Sequence, residues 1–278
     1  FNSNHFLDKK KIDNLPIGLF GNFYSHELSF FLIKNNDLKN LKNVLNKCNL
    51  KIKKIISKNF IEGANLISEK ENLNTFFKIE INDQNSKIFF FENSSLKFFQ
   101  NFPFGSNIIL NDISKITGLK YENVKKLLTN CNLSEESLDN EIVEEEYFQG
   151  HNYRKIKKKL ITDIANARIQ ELSEIMMIKN ININSFLKNK AQVFLKINNQ
   201  LSFKNFKEFY KYSFSQENAI ELLFLDQNSF KNIYQNTSKI VQYGWKKEAV
   251  PIIQEKKSLI ARFFDLILKK YFVIFRNI

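Results

Sequence analysis

The hydrophobic pattern is clearest in the stretch 76–99, where short apolar runs are separated by small polar residues. The first run alternates apolar and polar positions, which is typical of a β-strand. The polar segments between the runs are rich in Asn, Asp and Ser, the residues that favour tight turns. The stretch therefore predicts three consecutive strands joined by two turns. The predicted strands are Phe76–Ile81, Lys87–Glu92 and Leu96–Phe99, and the predicted turns are 82–86 and 93–95.

Outside this stretch, apolar positions recur with two different spacings. Short alternating or continuous apolar runs predict strands, and repeats of three to four residues predict helices. Strands and helices alternate along the chain, which indicates an α/β architecture. The predicted strands are 27–34, 50–57, 191–197 and 219–224, and the predicted helices are 37–48, 61–68, 108–117, 122–128, 153–178, 203–210 and 234–243.

Two smaller features carry expectations of their own. Asn49 and Gly118 follow predicted helices, and both residue types tolerate the left-handed backbone that often closes a helix. Met176 and Met177 fall in the longest helical pattern, where a methionine pair is more often core packing than a set of metal ligands.

The last stretch, 256–278, has a different character. At helical spacing its apolar and aromatic residues fall on one face and its charged residues, most of them basic, fall towards the other. Such a basic amphipathic helix is typical of a segment that lies in a membrane interface, and its interrupting charges argue against a membrane span. The alternative is a terminal helix docked on the protein core. The residues predicted to contact the membrane are Leu259, Ile260, Arg262, Phe263, Phe264, Ile267, Lys269, Lys270 and Tyr271.

The chain of 278 residues has a formal net charge of +13, which suggests nucleic acid or anionic lipid as a partner. Only four of its 42 basic residues are arginine, however, and arginine is the better residue for bidentate recognition of phosphate. The abundance of Lys, Asn, Ile and Phe, with only 7 Gly and 3 Pro, is the bias of an A/T-rich coding sequence. The composition therefore leaves nucleic-acid binding as a remote alternative.

Candidate catalytic and metal-ligating residues are few. His5, His26 and His151 have no partner at catalytic spacing, and two cysteines are too few for a disulfide framework or a structural zinc site. The acidic run 134–146 shows no ligand spacing, so we expect a solvated segment there rather than a metal site. These observations predict no catalytic residue and no metal, and the cysteine usage favours a reducing cytoplasm.

Several segments, taken in order, resemble one family: FtsA, the actin-like protein of bacterial cell division. Each motif alone is weak, but their order and spacing together cover nearly the whole chain. The hairpin at 76–96 resembles the family's VDIGGGTTDIAVFxxGxL, and the segment 104–119 resembles its GGNxVTxDIAxxL helix. The other similar segments are LPIGLFGN at 15–22, NVLNKCNLKIKKII at 43–56, YQNTSKIVQYG at 234–244 and the basic amphipathic end.

The resemblance implies a partial actin-like fold, of the ribonuclease H-like and heat-shock-ATPase type, with a C-terminal amphipathic helix. It also implies that the family's N-terminal part is missing, in keeping with a first residue that is not methionine. The expected units are 1–33 as the end of the family's extra subdomain, 34–58 as part of the first lobe, 59–102 with 151–233 as the second lobe, 103–150 as an inserted small subdomain, 234–255 as a closing helix and linker, and 256–278 as the membrane-targeting helix.

Two loops depart from the family where it binds nucleotide. A backbone approaches a phosphate most easily at glycine, which has no Cβ, and neither loop contains a glycine. The β-branched Ile197 also fits a left-handed backbone poorly. We therefore expect lost or weakened ATP binding, with ATP and magnesium implied by the resemblance alone. The family's GGGTT falls on Asn82, Asp83, Gln84, Asn85 and Ser86, and its LTGGG falls near 195–199, including Lys196, Ile197, Asn198 and Asn199.

The resemblance implies a protein that holds others together, and the two loops without glycine lead us to expect that it is not an enzyme. We expect a cell-division adaptor on the cytoplasmic side of the inner membrane, at the division site. Its implied partners are the C-terminal tail of FtsZ, the tubulin-like ring protein, other division proteins, anionic lipids and further copies of itself. The partner surface is expected at about 103–150. Glu80 matches a family aspartate near the metal, but without the glycine loop we expect a surface or hairpin residue. The alternative is an active actin-like ATPase that polymerises.

Overall fold

A computed structural model describes residues 2–12, 15–29, 31–52, 54–70, 72–131, 133, 140–148, 152–184, 186, 191–215, 219–225 and 230–243. Its strands are β1 Asn2–Leu7, β2 Lys10–Ile12, β3 Tyr24–Ser29, β4 Phe76–Ile81, β5 Ser86–Glu92, β6 Ser95–Phe102, β7 Ala191–Ile197 and β8 Ala219–Phe224. Its α-helices are α1 Asn35–Lys47, α2 Lys58–Glu69, α3 Asn107–Thr117, α4 Tyr121–Asn130, α5 Lys158–Ser173, α6 Gln200–Phe214 and α7 Phe230–Tyr243. A 3-10 turn at Glu145–Phe148 and a π-helical turn at Glu174–Ile178 complete the described elements.

The larger sheet has the strand order β6-β5-β4-β7-β8. Strands β4, β5 and β6 form an antiparallel meander, and β7 and β8 continue the sheet parallel to β4. Parallel neighbours need a crossover connection, which α3 to α5 supply before β7 and α6 supplies before β8. Three antiparallel strands followed by two parallel ones make the ribonuclease H-like arrangement, so the predicted α/β fold class is confirmed.

Helices cover both faces of this sheet, and every residue of β4 is buried as a result. Phe77, Ile79 and Ile81 face one apolar core, which α3, α5 and α6 complete. Phe76 faces a second, smaller core with residues of α2 and α7. Because side chains alternate along a strand, the polar residues 78 and 80 share the face of Phe76 and lie towards α2. The alternation in β4 therefore separates two buried faces, not a core from solvent.

The smaller sheet has the order β2-β1-β3 and is antiparallel. It lies within the residues that the resemblance assigns to the extra subdomain. A hydrogen bond from Asn4 Nδ2 to Ser95 Oγ, 2.9 Å long, joins β1 to β6. An ion pair between Lys97 and Glu27 joins β6 to β3. The small sheet is thus fastened to the edge strand of the larger one.

The described residues between 15 and 57 expose much of their apolar surface. Helix α1 carries Leu38, Leu41 and Val44, yet none of its residues is buried. The strand predicted at 50–57 is wrong, because no described residue of that segment pairs with another strand. Large apolar side chains are also exposed in the loop between β2 and β3, at Ile17, Leu19 and Phe20, and between β3 and α1, at Leu32.

Most of the predicted elements are present. Strands β4, β7 and β8 have the predicted bounds. Asn49 and Gly118 have φ angles of 58° and 70°, so the left-handed ends of α1 and α3 are confirmed. Met176 and Met177 are both buried in the larger core, as expected of packing residues.

Several predicted elements have different bounds, and two of them show the difference most clearly. The strand expected at 27–34 is β3, which ends at Ser29. The long helix expected at 153–178 begins only at Lys158 and changes to a π-helical turn at Glu174. The division into subdomains stays a prediction. The closing helix is α7, while the linker at 244–255 and the amphipathic helix at 256–278 lie outside the described residues.

Candidate functional site

Two loops meet at the carboxyl end of the central parallel strands. Strands β4 and β7 run side by side as far as the pair Ile81 and Ile197, so the segments that follow begin next to each other. The amide of Asn198 donates to the carbonyl oxygen of Ile81 at 2.9 Å and extends the pairing by one residue. Ligands of α/β sheets commonly bind outside the carboxyl ends of the strands. The structure thus brings together the two segments that the sequence singled out.

The side chains of these loops bond to one another. Asn198 Nδ2 donates to Asn82 Oδ1 across the two loops. Asn199 Nδ2 donates to Asp83 Oδ1 at 2.8 Å, which makes a second link between them. Within the first loop, Asn82 Nδ2 donates to Asn85 Oδ1 at 2.7 Å. We call these five residues the asparagine clasp, because their amides and one carboxylate hold the two loops against each other.

The start of α3 closes on the first loop from another side. The amides of Ser106 and Asn107 donate to the carbonyl oxygens of Asn82 and Asp83, each at 2.9 Å. Gly105 makes this approach fit, because a Cβ at that position would lie 2.2 Å from the carbonyl oxygen of Asn82. The amides at this helix start therefore bond to the protein itself. The sequence pattern gives no sign of this contact, because it joins positions more than twenty residues apart.

The start of α6 is capped in the same self-contained way. Asn199 occupies the N-cap position, and its Oδ1 accepts from the amide of Ser202 at 2.9 Å. The amide of Phe203 donates to the carbonyl oxygen of Asn199, also at 2.9 Å. Free amides at a helix start are what make it a site for phosphate. Here one such amide is taken by the capping side chain, as is usual for asparagine.

The remaining residues of the two loops have structural positions. Ser86 is the first residue of β5, and its Oγ donates to the carbonyl oxygen of Phe104 at 2.8 Å. Gln84 is exposed at the tip of the turn. Ile197 ends β7 as a buried, extended strand residue, so the expected conflict between its β-branch and a left-handed backbone does not arise. Lys196 points to the face of α2.

A buried cluster of charges lies directly beneath the clasp. Glu80 and Lys196 are register partners on β4 and β7, one residue before the last pair of the ladder. Lys78 lies two residues earlier on the same face, and Glu62 reaches the cluster from α2. The Lys78 ammonium donates to Glu80 Oε1 at 2.7 Å and to Glu62 Oε2. Glu80 was expected to be a surface or hairpin residue, and it lies in the hairpin of β4 and β5. It is not at the surface, because α2 covers the face that strand alternation alone leaves open.

The electrostatics of the cluster favour charged side chains. Burial alone would raise the pKa of the Glu62 carboxyl. The adjacent Lys78 ammonium, which also donates a hydrogen bond to this carboxylate, and Lys196 outweigh burial and lower that pKa to about 2. Lys196 Nζ lies 3.6 Å from Glu62 Oε1, and Lys58 Nζ lies 3.8 Å from the same oxygen. Glu62 is thus an ionised carboxylate among three ammonium groups. One feature of the sequence pointed to this charge cluster: Lys78 and Glu80 share one face of a predicted strand.

Metal ligation finds no support in the described part of the chain, where no three His, Cys, Asp or Glu side chains converge. The described part of the acidic run is structural, since Glu141 and Glu144 both pair with Lys158. Of the histidines, His151 lies outside the described residues. His5 is buried and stacks on His26 with ring centroids 4.5 Å apart.

The nine residues predicted to contact the membrane all lie in 259–271, outside the described residues. None of the helices described between residues 35 and 243 has the length and apolarity that a membrane span needs.

Comparison with known proteins finds similar structures but no similar sequence. No protein-family model matches the chain, and no curated protein matches it. Among solved structures, MreB 5 of Spiroplasma citri bound to AMPPNP matches with a TM-score of 0.50 and 11% identity, over 76% of this chain and 66% of that one. The ethanolamine utilization protein EutJ from Carboxydothermus hydrogenoformans matches with a TM-score of 0.42 and 10% identity, over 69% of this chain and 57% of that one.

The likeness to MreB 5 defines the class of the fold. The described residues form an α/β protein with the actin-like ATPase fold, as the resemblance in the sequence implied. The chain spans 57 to 66% of the length of these two relatives. In this fold the clasp and the charge cluster lie at the strand ends where α/β proteins commonly hold a ligand.

Proposed function

We propose that this protein is an actin-like scaffold of the bacterial division machinery, of the FtsA type, that holds partner proteins at a membrane without using nucleotide. The observation that carries the proposal is the asparagine clasp. In it, loops at a position suited to phosphate bond to each other through their side chains. A scaffold needs a stable body and binding surfaces, and it does not need a turnover site.

The clasp supports lost nucleotide binding for a physical reason. A phosphate is held by backbone amides that approach its oxygens closely, usually at glycine. In this chain the amide of Asn82 donates to the carbonyl oxygen of Asn85 at 2.9 Å, and the amides of residues 106 and 107 are also taken. A nucleotide would have to break several of these bonds before making its own. The active ATPase is therefore the weaker alternative.

The proposed anchor is the segment 256–278. Its apolar face offers Phe263, Phe264 and Ile267, and its other face offers lysines and arginines to anionic headgroups. Burying such side chains contributes about 1.5–3 kcal/mol each, so a few of them suffice for reversible attachment. The proposed location is accordingly the cytoplasmic face of the inner membrane.

The proposed partner surface lies at the turn between α3 and α4. Lys115 and Lys120 are exposed on either side of this turn, and Ile116 exposes 60% of its surface between them. An apolar side chain flanked by lysines suits an acidic peptide that carries an apolar residue. The C-terminal tail of FtsZ is the partner that the FtsA resemblance implies.

Flotation on anionic vesicles tests the anchor. We expect the wild-type chain to rise with vesicles that contain phosphatidylglycerol, and Phe263→Asp with Ile267→Asp to stay at the bottom of the gradient. The matched control is Phe263→Leu with Ile267→Leu, which keeps the apolar face and should float. A wild-type chain that does not float contradicts the proposed attachment.

Capture of an FtsZ tail peptide by the floated chain tests the partner surface. Lys115→Glu with Lys120→Glu should lower capture about tenfold or more, because it replaces attraction by repulsion, and added salt should weaken wild-type capture. The matched control is Lys207→Glu with Lys211→Glu on α6, which should capture the peptide as the wild type does. Equal loss in both double variants would show a non-specific charge effect and would count against this surface.

A further inference from the structure

Two of the chain's four arginines lie among the described residues, and they have different surroundings. Arg168 on α5 is paired with carboxylates: its Nε donates to Asp112, and its Nη1 lies 2.5 Å from Glu171 Oε2. Arg154 has no carboxylate partner in the part of the chain that the structure describes. Its one polar contact there is a hydrogen bond of 3.0 Å from Nη2 to the carbonyl oxygen of Thr117. Because Arg154 is exposed, its charge is open to a ligand from outside the chain.

The end of α3 holds the Arg154 guanidinium in place. Thr117 is the last residue of α3, and Gly118 after it has a φ of +70°. A Cβ at Gly118 would collide with Arg154 Nη2 and would lie 3.3 Å from its Cζ, so the guanidinium lies directly against this glycine. The position suits a cation, because the carbonyl end of a helix carries a partial negative charge. The hydrogen bond and the close packing together order a side chain that has much rotamer freedom when it is unbound.

Capping of α3 accounts for only part of what this side chain offers. The bond to Thr117 uses one N–H donor of the guanidinium, and a complete fork of two parallel donors remains. Such a fork is the group that binds a carboxylate bidentately. Lysine also caps helix ends, and the chain uses lysine for all but four of its 42 basic residues. An ordered arginine at this turn is therefore better explained by recognition of an anion than by capping alone.

The surroundings of Arg154 supply the other contacts that a peptide needs. Lys115 and Lys120 are exposed on either side of the turn that the guanidinium contacts. Ile116 lies between them and is 60% exposed. Tyr153, the residue before Arg154, is 42% exposed. The turn thus presents an aliphatic and an aromatic side chain beside three cations.

We propose that Arg154 is the carboxylate-binding residue of the partner surface, and that it holds one carboxylate of an acidic peptide whose apolar residue lies on Ile116. Lys115 and Lys120 attract the remaining negative charge of the peptide. The proposal rests on the proposed partner surface and adds a residue outside 103–150, the segment to which the resemblance assigns that surface. Arginine makes the recognition geometric as well as electrostatic, because its planar fork matches the two oxygens of a carboxylate.

Fluorescence anisotropy of a labelled FtsZ tail peptide, titrated with the full chain, tests the role of Arg154. Arg154→Ala should weaken binding about tenfold or more, and Arg154→Lys about threefold or more, because lysine keeps the charge but lacks the fork. The matched control is Lys211→Ala, which removes one positive charge from α6 and should bind as the wild type does. Equal affinities of the wild type and Arg154→Lys would overturn the proposal.

Gly118→Ala tests the position of the guanidinium without changing any charge. The added Cβ displaces Arg154 from the end of α3, so binding should weaken in the wild-type background. The same change in the Arg154→Lys background should cause no further loss, since the two residues act together. An equal loss in both backgrounds would assign the effect to the turn, where alanine is strained at positive φ, and would overturn the proposal.

Peptide variants identify the bound carboxylate. Amidation removes the carboxylate at the C-terminus of the peptide, and asparagine in place of aspartate removes those of the side chains. We expect one of these changes to abolish the difference in affinity between the wild type and Arg154→Lys, and that change names the group that Arg154 binds. A difference that survives both changes would show that Arg154 binds no carboxylate and would overturn the proposal.

A model peptide with aspartates around one leucine separates this inference from the proposed function. Binding of the model peptide through Arg154, without binding of the FtsZ tail, would contradict the proposed division partner and support the carboxylate site. Binding of the FtsZ tail with equal affinity to the wild type and Arg154→Lys would support that partner and overturn the carboxylate site. A chain that binds neither peptide overturns both.

Discussion

At the scale of single residues, Glu62 shows how a charge is kept inside this core. Its carboxylate is surrounded by ammonium groups of Lys58, Lys78 and Lys196, which together offset the loss of hydration. Removing one member of such a set is more harmful than replacing the set with apolar residues, because it leaves a buried charge without a partner. The cluster therefore makes the junction of α2 with the sheet sensitive to single substitutions and to acid.

Acid should destabilise the fold through Glu62. Its pKa is about 2 in the folded chain against an ordinary value of 4.5. Because the folded pKa is the lower one, the carboxylate stabilises the fold above pH 4.5, and this contribution is lost as the pH falls towards 2. The free energy at stake is at most about 3 kcal/mol. Urea unfolding followed by circular dichroism should show a shallower acid loss for Glu62→Gln, which should already be less stable at neutral pH.

The control for acid stability is a glutamate at the surface. Glu208 is 72% exposed and lies 4.0 Å from Lys211 on the same helix. Glu208→Gln should unfold as the wild type does at each pH, since exposed pairs contribute little. If Glu62→Gln retained the wild-type acid profile, the described charge cluster would not be the source of the acid sensitivity.

Gly105 should tolerate no side chain. A Cβ there would lie 2.2 Å from the carbonyl oxygen of Asn82 and 2.7 Å from that of Asp83. Gly105→Ala should lower the free energy of unfolding by about 1–3 kcal/mol, because the loop and the start of α3 must move apart. Hydrogen exchange at the amides of Ser106 and Asn107 should speed up in the same variant.

Gly18→Ala is the matched comparison for Gly105. Gly18 has a φ of +81° but nothing within 4 Å of an added Cβ, so only backbone strain opposes the substitution. We expect a cost of about 1 kcal/mol there and no effect on the amides of α3. An equal response of those amides in both variants would mean that the close approach at Gly105 is not what holds the loop.

At the scale of elements, the helices fall into two kinds. Helices α3 to α6 bury apolar faces in the larger core, whereas α1 buries none of its residues. Helix formation in proteins depends mostly on such packing, so α1 is held by fewer contacts than the helices on the sheet. Its cap at Asn49, whose φ is 58°, closes the helix locally.

Two leucines on helices of different burial should respond differently to truncation. Leu41 on α1 is 46% exposed, and Leu127 on α4 is fully buried. Leu127→Ala should lower the free energy of unfolding by about 2–5 kcal/mol, and Leu41→Ala by less than about 0.5 kcal/mol. Chemical denaturation of both variants measures this. A large loss in Leu41→Ala would show that the face of α1 is packed in solution.

The sequence alone was sufficient to predict the elements that are marked by a hydrophobic pattern within the element itself. Strands β4, β7 and β8 have short, strongly apolar patterns, and their bounds follow from them. The segment 50–57 has the same kind of pattern, yet no strand forms among its described residues, because a strand also needs a neighbour to pair with. Strand pairing depends on the whole fold, so it cannot be predicted from the hydrophobic periodicity of one segment.

The candidate site was also predicted only in part from the sequence. The two loops could be located from their resemblance to glycine-rich motifs, and the structure brings them together through the pairing of β4 with β7. The clasp itself was not foreseen, since hydrogen bonds between residues 82 and 198 join positions far apart in the chain. The burial of Glu80 was missed for a related reason: α2 comes before β4 in the chain and covers it only in three dimensions.

At the scale of the whole molecule, the region at the carboxyl ends of β4 and β7 is occupied by contacts within the protein. The asparagine clasp joins the loops above the sheet, and Lys78 joins α2 to the sheet below them. The actin-like fold supplies the frame, as the likeness to MreB 5 shows. This closed region agrees with the scaffold that we propose, in which partners bind at the surface and the interior does not change.

The most direct test of this account is capture of the FtsZ tail peptide on anionic vesicles by the full chain, measured with and without ATP and magnesium. We expect the same captured fraction in both conditions, because the scaffold that we propose has no nucleotide-dependent state. Capture that requires ATP, or that changes severalfold when ATP is added, would contradict the account at its centre.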